Sequence, residues 1–527
     1  MKMKNSHWLL LIVLATMAFR LAVYQGYTGS DAANYVEEAH NILKGEYSVA
    51  ERLAIVPFDE LMPSPLFNYQ NLRLGFILPN TMFMKVFGIN EFAISIFPFT
   101  CAIILILSVY HLGRQLYSEQ AGIMAAIFAA FVPQDMNLTS AILPHMPAAS
   151  FMALSACLFV RAIRSDRMMS SIIFMALAGI SACYSYTIWE FGLFILPVLA
   201  LFLLIMFSGR HAFLSSRFWI LGMSFMAGFL VLFGIETVYF YNLSGEWLLR
   251  PRLISRMGRL ILEVHPVDAA NLDFKLYPIA MMKSFFFGLF FYFVFAGVLI
   301  WLYRLVTSNE DWKNKRLQSL SLVWFLFLLL YLQWGSSSLT EYTPTFKLVT
   351  YLTVLSAPGS LLAAFFMDRM SHWLSSHRSI YLSRYHNVLI VHIMVGYVVT
   401  SVGCAFMNHL GSGPFQRDQT RHFAMSRILS QYPVETIYTD GWTARLLDFT
   451  FAYERDIAVF DRLDPYDKRR LVGLEEMKSG YVVINQWRIG YAAKAYKGKM
   501  YPLFAYEHPV TWKKLYQSET FSVFIIE

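Results

Sequence analysis

The sequence GYTGSDAANYVEEAHNILKGEY, residues 26–47, is the stretch around which the chain is organised. It directly follows the first apolar segment, so we expect it to emerge at the far face of a membrane. A turn of small residues carries Asp31, and an amphipathic helical pattern follows. Its apolar side holds Tyr35, Ala39 and Ile42–Leu43, and Glu37, Glu38 and Lys44 lie elsewhere. A carboxylate at the start of a helix can cap that helix. At the boundary between membrane and water, it can also act as a catalytic base.

The composition around this stretch is typical of a membrane protein. Hydrophobic residues make up 57% of the 527 residues and charged residues 15%, and the mean hydropathy is +0.47. Ordinary soluble domains do not have such values. Continuous apolar blocks of about 17–25 residues recur along the chain, which predicts a polytopic α-helical membrane protein instead of a β-barrel.

We predict about eleven transmembrane helices. They lie near residues 7–24, 91–110, 119–133, 141–160, 171–187, 190–207, 218–240, 280–303, 317–334, 346–366 and 387–409. With the amino terminus in the cytoplasm, the inward loops carry the Lys and Arg residues, whereas three short outward turns carry none. The pattern therefore predicts an integral protein of a prokaryotic plasma membrane, with a cytoplasmic amino terminus and an extracytoplasmic carboxyl terminus.

The chain becomes more polar beyond residue 410. Four short strand patterns occur near residues 434–438, 457–460, 481–484 and 522–526. We therefore predict a transmembrane domain over residues 1–410 and a small soluble extracytoplasmic α/β domain over residues 411–527.

The sequence gives no indication of nucleic-acid binding, of a disulfide framework or of a zinc site. The net charge of +8 is spread through loops, and no basic run with interleaved aromatic residues indicates a nucleic-acid partner. The four cysteines all lie in apolar blocks, so we predict buried free thiols instead of a disulfide framework or a zinc site.

A second predicted outer loop, residues 242–277, carries an unusual group of arginines. The short segment RPRLISRMGR contains Arg250, Arg252, Arg256 and Arg259. The last three are spaced so that a helix would present them on one face. Guanidinium groups at a membrane surface suit a phosphate, although an interfacial helix on anionic lipid headgroups is an open alternative. His265 and Asp268 follow in the same loop, where they are either candidate metal ligands or solvated side chains.

Lys347 lies where the tenth predicted span begins. It can extend to the membrane interface or contact the same anion as the arginines. A carboxylate, arginines and a lysine at one outer surface predict an enzyme that acts on a phosphate-linked lipid. The base would deprotonate an acceptor hydroxyl, and the cations would stabilise the phosphate leaving group. The sequence contains no nucleotide-binding glycine motif.

Four motifs occur in a characteristic order. The first outer loop, residues 25–90, contains Asp31-Ala-Ala-Asn-Tyr35, then Asn41-Ile-Leu-Lys-Gly45, then Arg73-Leu-Gly with Phe87-Gly88. Ala141-Ile-Leu-Pro-His145-Met-Pro147 follows, and Phe346-Lys347-Leu-Val-Thr-Tyr351 precedes Ala357-Pro358. Together with the topology, these motifs resemble GT-C membrane glycosyltransferases, in the branch of lipid-linked-sugar transferases (family 39-like) related to protein O-mannosyltransferases and the aminoarabinose transferase of lipid A.

The resemblance implies roles for individual residues. Asp31 would be the catalytic base, Arg73 and Lys347 would contact the donor phosphate, and Tyr35, His145 and Tyr351 would line the substrate pocket. The chain departs from the family pattern at four places. Ala32 replaces a second carboxylate, and Asn71 stands near where some relatives have an acidic residue. His145 replaces an aspartate, and Trp189 and Glu190 stand where a lysine is common. These departures weaken the expectation of a divalent metal, which stays possible, and they leave the sugar open.

The sequence therefore predicts a glycosyltransferase that moves a sugar from a polyprenyl-phosphate donor to a hydroxyl of a lipid, glycan or protein, with inversion. The rival hypotheses are a transporter or lipid flippase of envelope glycoconjugates and an assembly protein of the cell envelope. A transporter predicts charges paired in mid-span and discontinuous helices. An assembly protein predicts no dependence on Asp31.

Overall fold

The computed structural model forms two compact units. It describes residues 5–24, 26–27, 31–47, 49, 69–140, 142–207, 215–254, 277–283, 285–307, 312–336, 348–376, 380–411, 429, 436–461, 469–486, 509–517 and 521–526. The helical unit consists of Met1–Tyr24, Arg73–Phe76 and Phe97–Leu410. The α/β unit consists of Gln25–Leu72, Ile77–Ile96 and Gly411–Glu527.

Sixteen α-helices have both ends within the described residues. In chain order they are α1 (Asn5–Ala22), α2 (Asp31–Leu43), α3 (Leu74–Phe87), α4 (Glu91–Leu116), α5 (Glu119–Ala130), α6 (Pro133–Ser140), α7 (His145–Arg164), α8 (Met168–Ile188), α9 (Ile195–Met206), α10 (Ser216–Ser244), α11 (Tyr277–Lys283), α12 (Phe290–Thr307), α13 (Trp312–Trp334), α14 (Ser356–Ser376), α15 (Ile380–Gly411) and α16 (Gly441–Thr450). Short 3₁₀ helices occupy Tyr69–Leu72, Glu190–Phe194, Val349–Leu355 and Leu474–Glu476.

The helices confirm the predicted polytopic fold. Eight of those in the described residues are long and apolar enough to cross a membrane, or nine if α5 and α6, which meet at 60°, form one bent span. The remaining two predicted spans overlap shorter apolar helices, Ser6–Ala22 and Glu190–Met206. All backbone polar groups in a bilayer must be paired within the protein, which is why continuous apolar blocks predict helices reliably.

Helices α8 and α10 touch backbone to backbone in the helical unit. A Cβ atom added to Gly179 would lie 2.0 Å from the carbonyl oxygen of Phe225, and one added to Gly228 would lie 2.0 Å from that of Ala176. Small residues at such crossings allow close packing of helices in membranes. The glycines therefore set the distance between these two helices.

We expect Gly228→Ala to lower the apparent melting temperature of the purified protein in detergent. The added methyl group would push α8 and α10 apart, at a cost of about 1–3 kcal/mol. Gly234→Ala on the same helix is the matched control, since nothing in the described part of the chain lies within 4 Å of its added Cβ. It should melt at the wild-type temperature or slightly above. Equal melting temperatures for the two variants would contradict this account of the helix contact.

The α/β unit contains a five-stranded mixed sheet, which confirms the predicted small α/β fold. Its strands are β1 (Thr436–Asp440), β2 (Asp456–Asp461), β3 (Gly480–Asn485), β4 (Lys513–Gln517) and β5 (Phe521–Ile526). They lie in the order β2-β1-β3-β5-β4, with β1 parallel to β2 and β3, and with β5 antiparallel to β3 and β4. Helix α16 connects β1 to β2, as expected for two parallel neighbours.

Candidate active site

A charged network in the helical unit joins the buried residues Arg73, Arg250 and Glu236 to Glu190, which is partly exposed. Glu190 accepts two hydrogen bonds from Arg73, at 2.6 Å from Nη2 to Oε2 and 3.2 Å from Nε to Oε1. Arg250 Nη2 lies 3.0 Å from the same Oε1 atom, and Arg250 Nη1 lies 2.8 Å from Glu236 Oε1. Two arginines and two glutamates balance in charge, so Glu190 joins both cations into one neutral cluster.

Close backbone contacts bring these residues together. A Cβ atom on Gly75 would lie 2.2 Å from Thr187 Oγ1, and the Tyr184 hydroxyl donates to the carbonyl oxygen of Gly75 at 3.0 Å. The start of α3 therefore lies against the end of α8, and Arg73 reaches Glu190, which follows α8 in the chain.

Arg250 is held from a helical stretch at residues 249–254 that follows α10. Its Nη2 atom donates to the carbonyl oxygen of Tyr186 at 2.6 Å, and its guanidinium lies 4.4 Å from the centre of the Tyr186 ring. Burial works against the charge, but Glu236 and Glu190 outweigh it and hold the pKa of Arg250 above its ordinary value. Separating a buried arginine from its partners costs considerable free energy.

An aromatic group surrounds His145 beside this network. The His145 ring lies 4.5 Å from Trp189 and 5.7 Å from Tyr351, and Trp189 stacks on Phe191 at 4.3 Å. His145 also interacts electrostatically with Arg73 and Glu190. The structure thus brings three predicted site residues, Arg73, His145 and Tyr351, into one part of the helical unit.

Asp31 and Tyr35 lie on α2 in the α/β unit. Asp31 is the first residue of the helix and is half-buried, whereas Tyr35 is fully buried. Helix α2 is present as predicted, but its burial is not restricted to the predicted apolar side. Glu38, predicted to be polar and outward, is buried together with Ala39, whereas Ile42 and Leu43 are only half-buried.

Of the remaining predicted site residues, one lies at the surface and five lie outside the described residues. Arg252 is 57% exposed and pairs with Glu246 at the surface. Arg256, Arg259, His265, Asp268 and Lys347 lie outside the described residues. Within the described ranges, no group of three or more His, Cys, Asp or Glu side chains is placed to hold a metal ion.

Glu236 and Arg250 were not predicted from the sequence as site residues, and Glu190 was noted only as a departure from a family pattern. Each is a charged residue within or next to an apolar segment. Residues of opposite charge within or next to apolar segments predict a buried ion pair, because an ionised group near lipid needs a partner.

Comparisons with known proteins bear on the family resemblance and the fold of the chain. A family model described as dolichyl-phosphate-mannose-protein mannosyltransferase matches residues 78–233. No curated protein matches the sequence. The resemblance predicted from the motifs is confirmed by this family model and by the solved structures that follow.

Solved structures share the fold across nearly the whole chain. ArnT from Cupriavidus metallidurans, bound to undecaprenyl phosphate, is 12% identical with a TM-score of 0.58, over 99% of this chain and 98% of that one. Archaeoglobus fulgidus oligosaccharyltransferase AglB, with an inhibitory peptide and a dolichol-phosphate, is 12% identical with a TM-score of 0.52, over 86% and 64%. An A. fulgidus oligosaccharyltransferase with Zn and sulfate is 14% identical with a TM-score of 0.55, over 98% and 72%. The chain has the GT-C fold.

Proposed function

We propose that the protein is an integral-membrane glycosyltransferase that uses a polyprenyl-phosphate-linked sugar. The observation that carries this proposal is the full-length likeness in fold to ArnT, a protein solved with undecaprenyl phosphate bound. The match to a mannosyltransferase family model adds support. The acceptor is a hydroxyl of a lipid, glycan or protein on the extracytoplasmic face.

Asp31 is the proposed base. Its carboxylate takes the proton of the acceptor hydroxyl while that oxygen forms a bond to the anomeric carbon of the sugar. The bond from this carbon to the phosphate oxygen breaks, and polyprenyl phosphate leaves with the electron pair. Attack opposite the leaving group inverts the anomeric configuration.

The cations have distinct parts in this proposal. Glu190 holds Arg73 at a defined place, and a charged donor that need not reorganise stabilises a leaving phosphate most effectively. Arg252, Arg256, Arg259 and Lys347 are the further proposed phosphate contacts, and Tyr35, His145 and Tyr351 are the proposed pocket residues. His265 and Asp268 stay candidate metal ligands.

Two observations favour a transporter or lipid flippase as the second candidate. Helices α5 and α6 form a bent pair, as in discontinuous helices of transporters. The buried Arg20 on α1 donates to the carbonyl oxygens of Asp135, at 2.7 Å, and of Ala130. Buried arginines inside membrane helices mark functional sites in many transporters.

A donor comparison separates the two candidates. Purified protein is mixed with a membrane extract and a labelled sugar, carried either by polyprenyl phosphate or by a nucleotide. A glycosyltransferase of the proposed type labels an acceptor covalently from the lipid donor alone. Transport of the intact lipid-linked sugar across sealed vesicles, with no covalent product, would replace the proposal by the second candidate. A chelator added to parallel reactions tests whether a divalent metal takes part.

A further inference from the structure

Arg445 of α16 holds the helix that carries Asp31. Within the α/β unit its guanidinium donates to the side-chain oxygen of Asn34, and its Nε atom lies 2.8 Å from Glu37 Oε2. Arg445 is only 5% exposed. One buried guanidinium thus contacts α2 at two positions, three and six residues after Asp31.

A second arginine contacts the same glutamate. Arg469 Nη2 lies 2.9 Å from Glu37 Oε1 and 2.7 Å from Asp448 Oδ2. Asp448 also belongs to α16. Glu37 is therefore held between two arginines from the carboxyl-terminal part of the chain, and charge-assisted bonds of this kind are the stronger ones.

Tyr453 provides a third contact, farther along α2. Its ring stacks on His40 with 3.6 Å between ring centres and 5° between planes. Ala452 and Tyr453 both have left-handed backbones, with φ of 51° and 61°, which non-glycine residues adopt only where their surroundings hold them. Burial, helped by the charge of Lys44, lowers the pKa of His40 to about 4, so the stacked ring is neutral at pH 7.

The three contacts fix α2 in rotation and along its axis. Asn34, Glu37 and His40 are three residues apart, so they follow one another along the flank of the helix and turn gradually away from Asp31. Ala33 and Tyr35 are buried at the same time. Asp31 stays half-exposed at the start of a helix that is held on its flank.

We propose that the carboxyl-terminal part of the α/β unit positions Asp31, with Arg445, Arg469 and Tyr453 as positioning residues. The inference rests on the proposed function, because a fixed position of Asp31 affects the rate only if its carboxylate is the catalytic base. Displacement of a reacting group by about 1 Å costs on the order of 10²-fold in rate. The positioning residues therefore act on the rate of transfer and not on donor binding.

The experiment compares full-length Arg445→Gln with the wild type by two measurements. Hydrogen exchange of the α2 amides should become at least about tenfold faster, since exchange reports local opening. In the transfer assay, kcat should fall about 10–100-fold while the donor KM stays within about twofold. Arg445→Lys, which keeps a charge near Glu37, should restore part of both. Arg470→Gln is the matched control, since Arg470 is an exposed arginine that pairs with Asp456, and it should leave both unchanged.

The results test separately the contact of Arg445 with α2, its positioning role and the proposed function. Unchanged exchange of α2 in Arg445→Gln would overturn the inference, whatever the activity. Faster exchange with an unchanged kcat would overturn positioning while leaving the contact. A wild-type protein that transfers no sugar from the lipid donor would overturn the proposed function, and the exchange measurement would still decide whether Arg445 orders α2. Glu37→Gln serves as a second variant if Arg445→Gln does not fold.

Discussion

Replacement of Asp31 by asparagine should reduce sugar transfer from the lipid donor about 10²–10⁴-fold. A general base contributes a factor of this size, and an asparagine amide cannot accept the proton of the acceptor hydroxyl. The substitution keeps the size of the side chain and removes only its charge. The fold should therefore be retained, with wild-type elution from a sizing column and a wild-type circular dichroism spectrum.

Two further variants make the result for Asp31 specific. Glu46→Gln removes an exposed carboxylate from the segment that follows α2, and it should leave transfer at the wild-type rate. Asp31→Glu keeps the base but moves it outward by one methylene group, and it should retain a measurable fraction of the rate. Transfer by Asp31→Asn at more than a tenth of the wild-type rate would refute Asp31 as the base. A wild type that itself showed no transfer would revive the assembly-protein hypothesis.

Glu190→Gln should destabilise the protein by about 3–5 kcal/mol, the usual cost of leaving a buried charge without its partner. Glu190 pairs with both Arg73 and Arg250, and these arginines are 3% and 2% exposed. A glutamine carries no charge, and its NH2 group would place N–H donors against guanidinium N–H donors where a carboxylate oxygen now accepts. The apparent melting temperature in detergent should fall by several degrees.

Glu246→Gln is the matched control for this prediction. It makes the same change in another arginine–glutamate pair, but Arg252 there is 57% exposed and Glu246 32%. Exposed pairs contribute at most about 1 kcal/mol, so this variant should melt close to the wild type. A Glu190→Gln protein that melts within a degree of Glu246→Gln would show that the network contributes little to stability.

The sequence predicted the fold class well because the signals involved are local. Each apolar block is long enough to satisfy its own backbone as a helix, whatever its neighbours are. Helix α2 was equally readable, but its buried residues include Asn34 and Glu38 and so extend beyond the predicted apolar side. Strand β4, in contrast, was missed: its sequence KKLYQ is charged and its burial is low, as is common for an edge strand.

The candidate site could be predicted only in part. His145 and Tyr351 were named from motifs, and in the structure their ring centres lie 5.7 Å apart. The interpretation of the second outer loop placed weight on Arg252, whereas it is Arg250, two residues earlier, that is buried with Glu236 and Glu190. Helical spacing gave no reason to prefer Arg250, because its partners lie 14 and 60 residues away in the chain.

The sequence by itself determined that this protein is a polytopic helical membrane protein with a small α/β part, and that a helix follows the turn that carries Asp31. These features depend on hydrophobicity and on contacts within one helix or strand. Only the tertiary structure decided that Glu190 joins Arg73 to Arg250 and that Arg445 holds α2. Such pairings arise between segments far apart in the chain, and burial selects them because each charge that leaves water must find its own counter-charge.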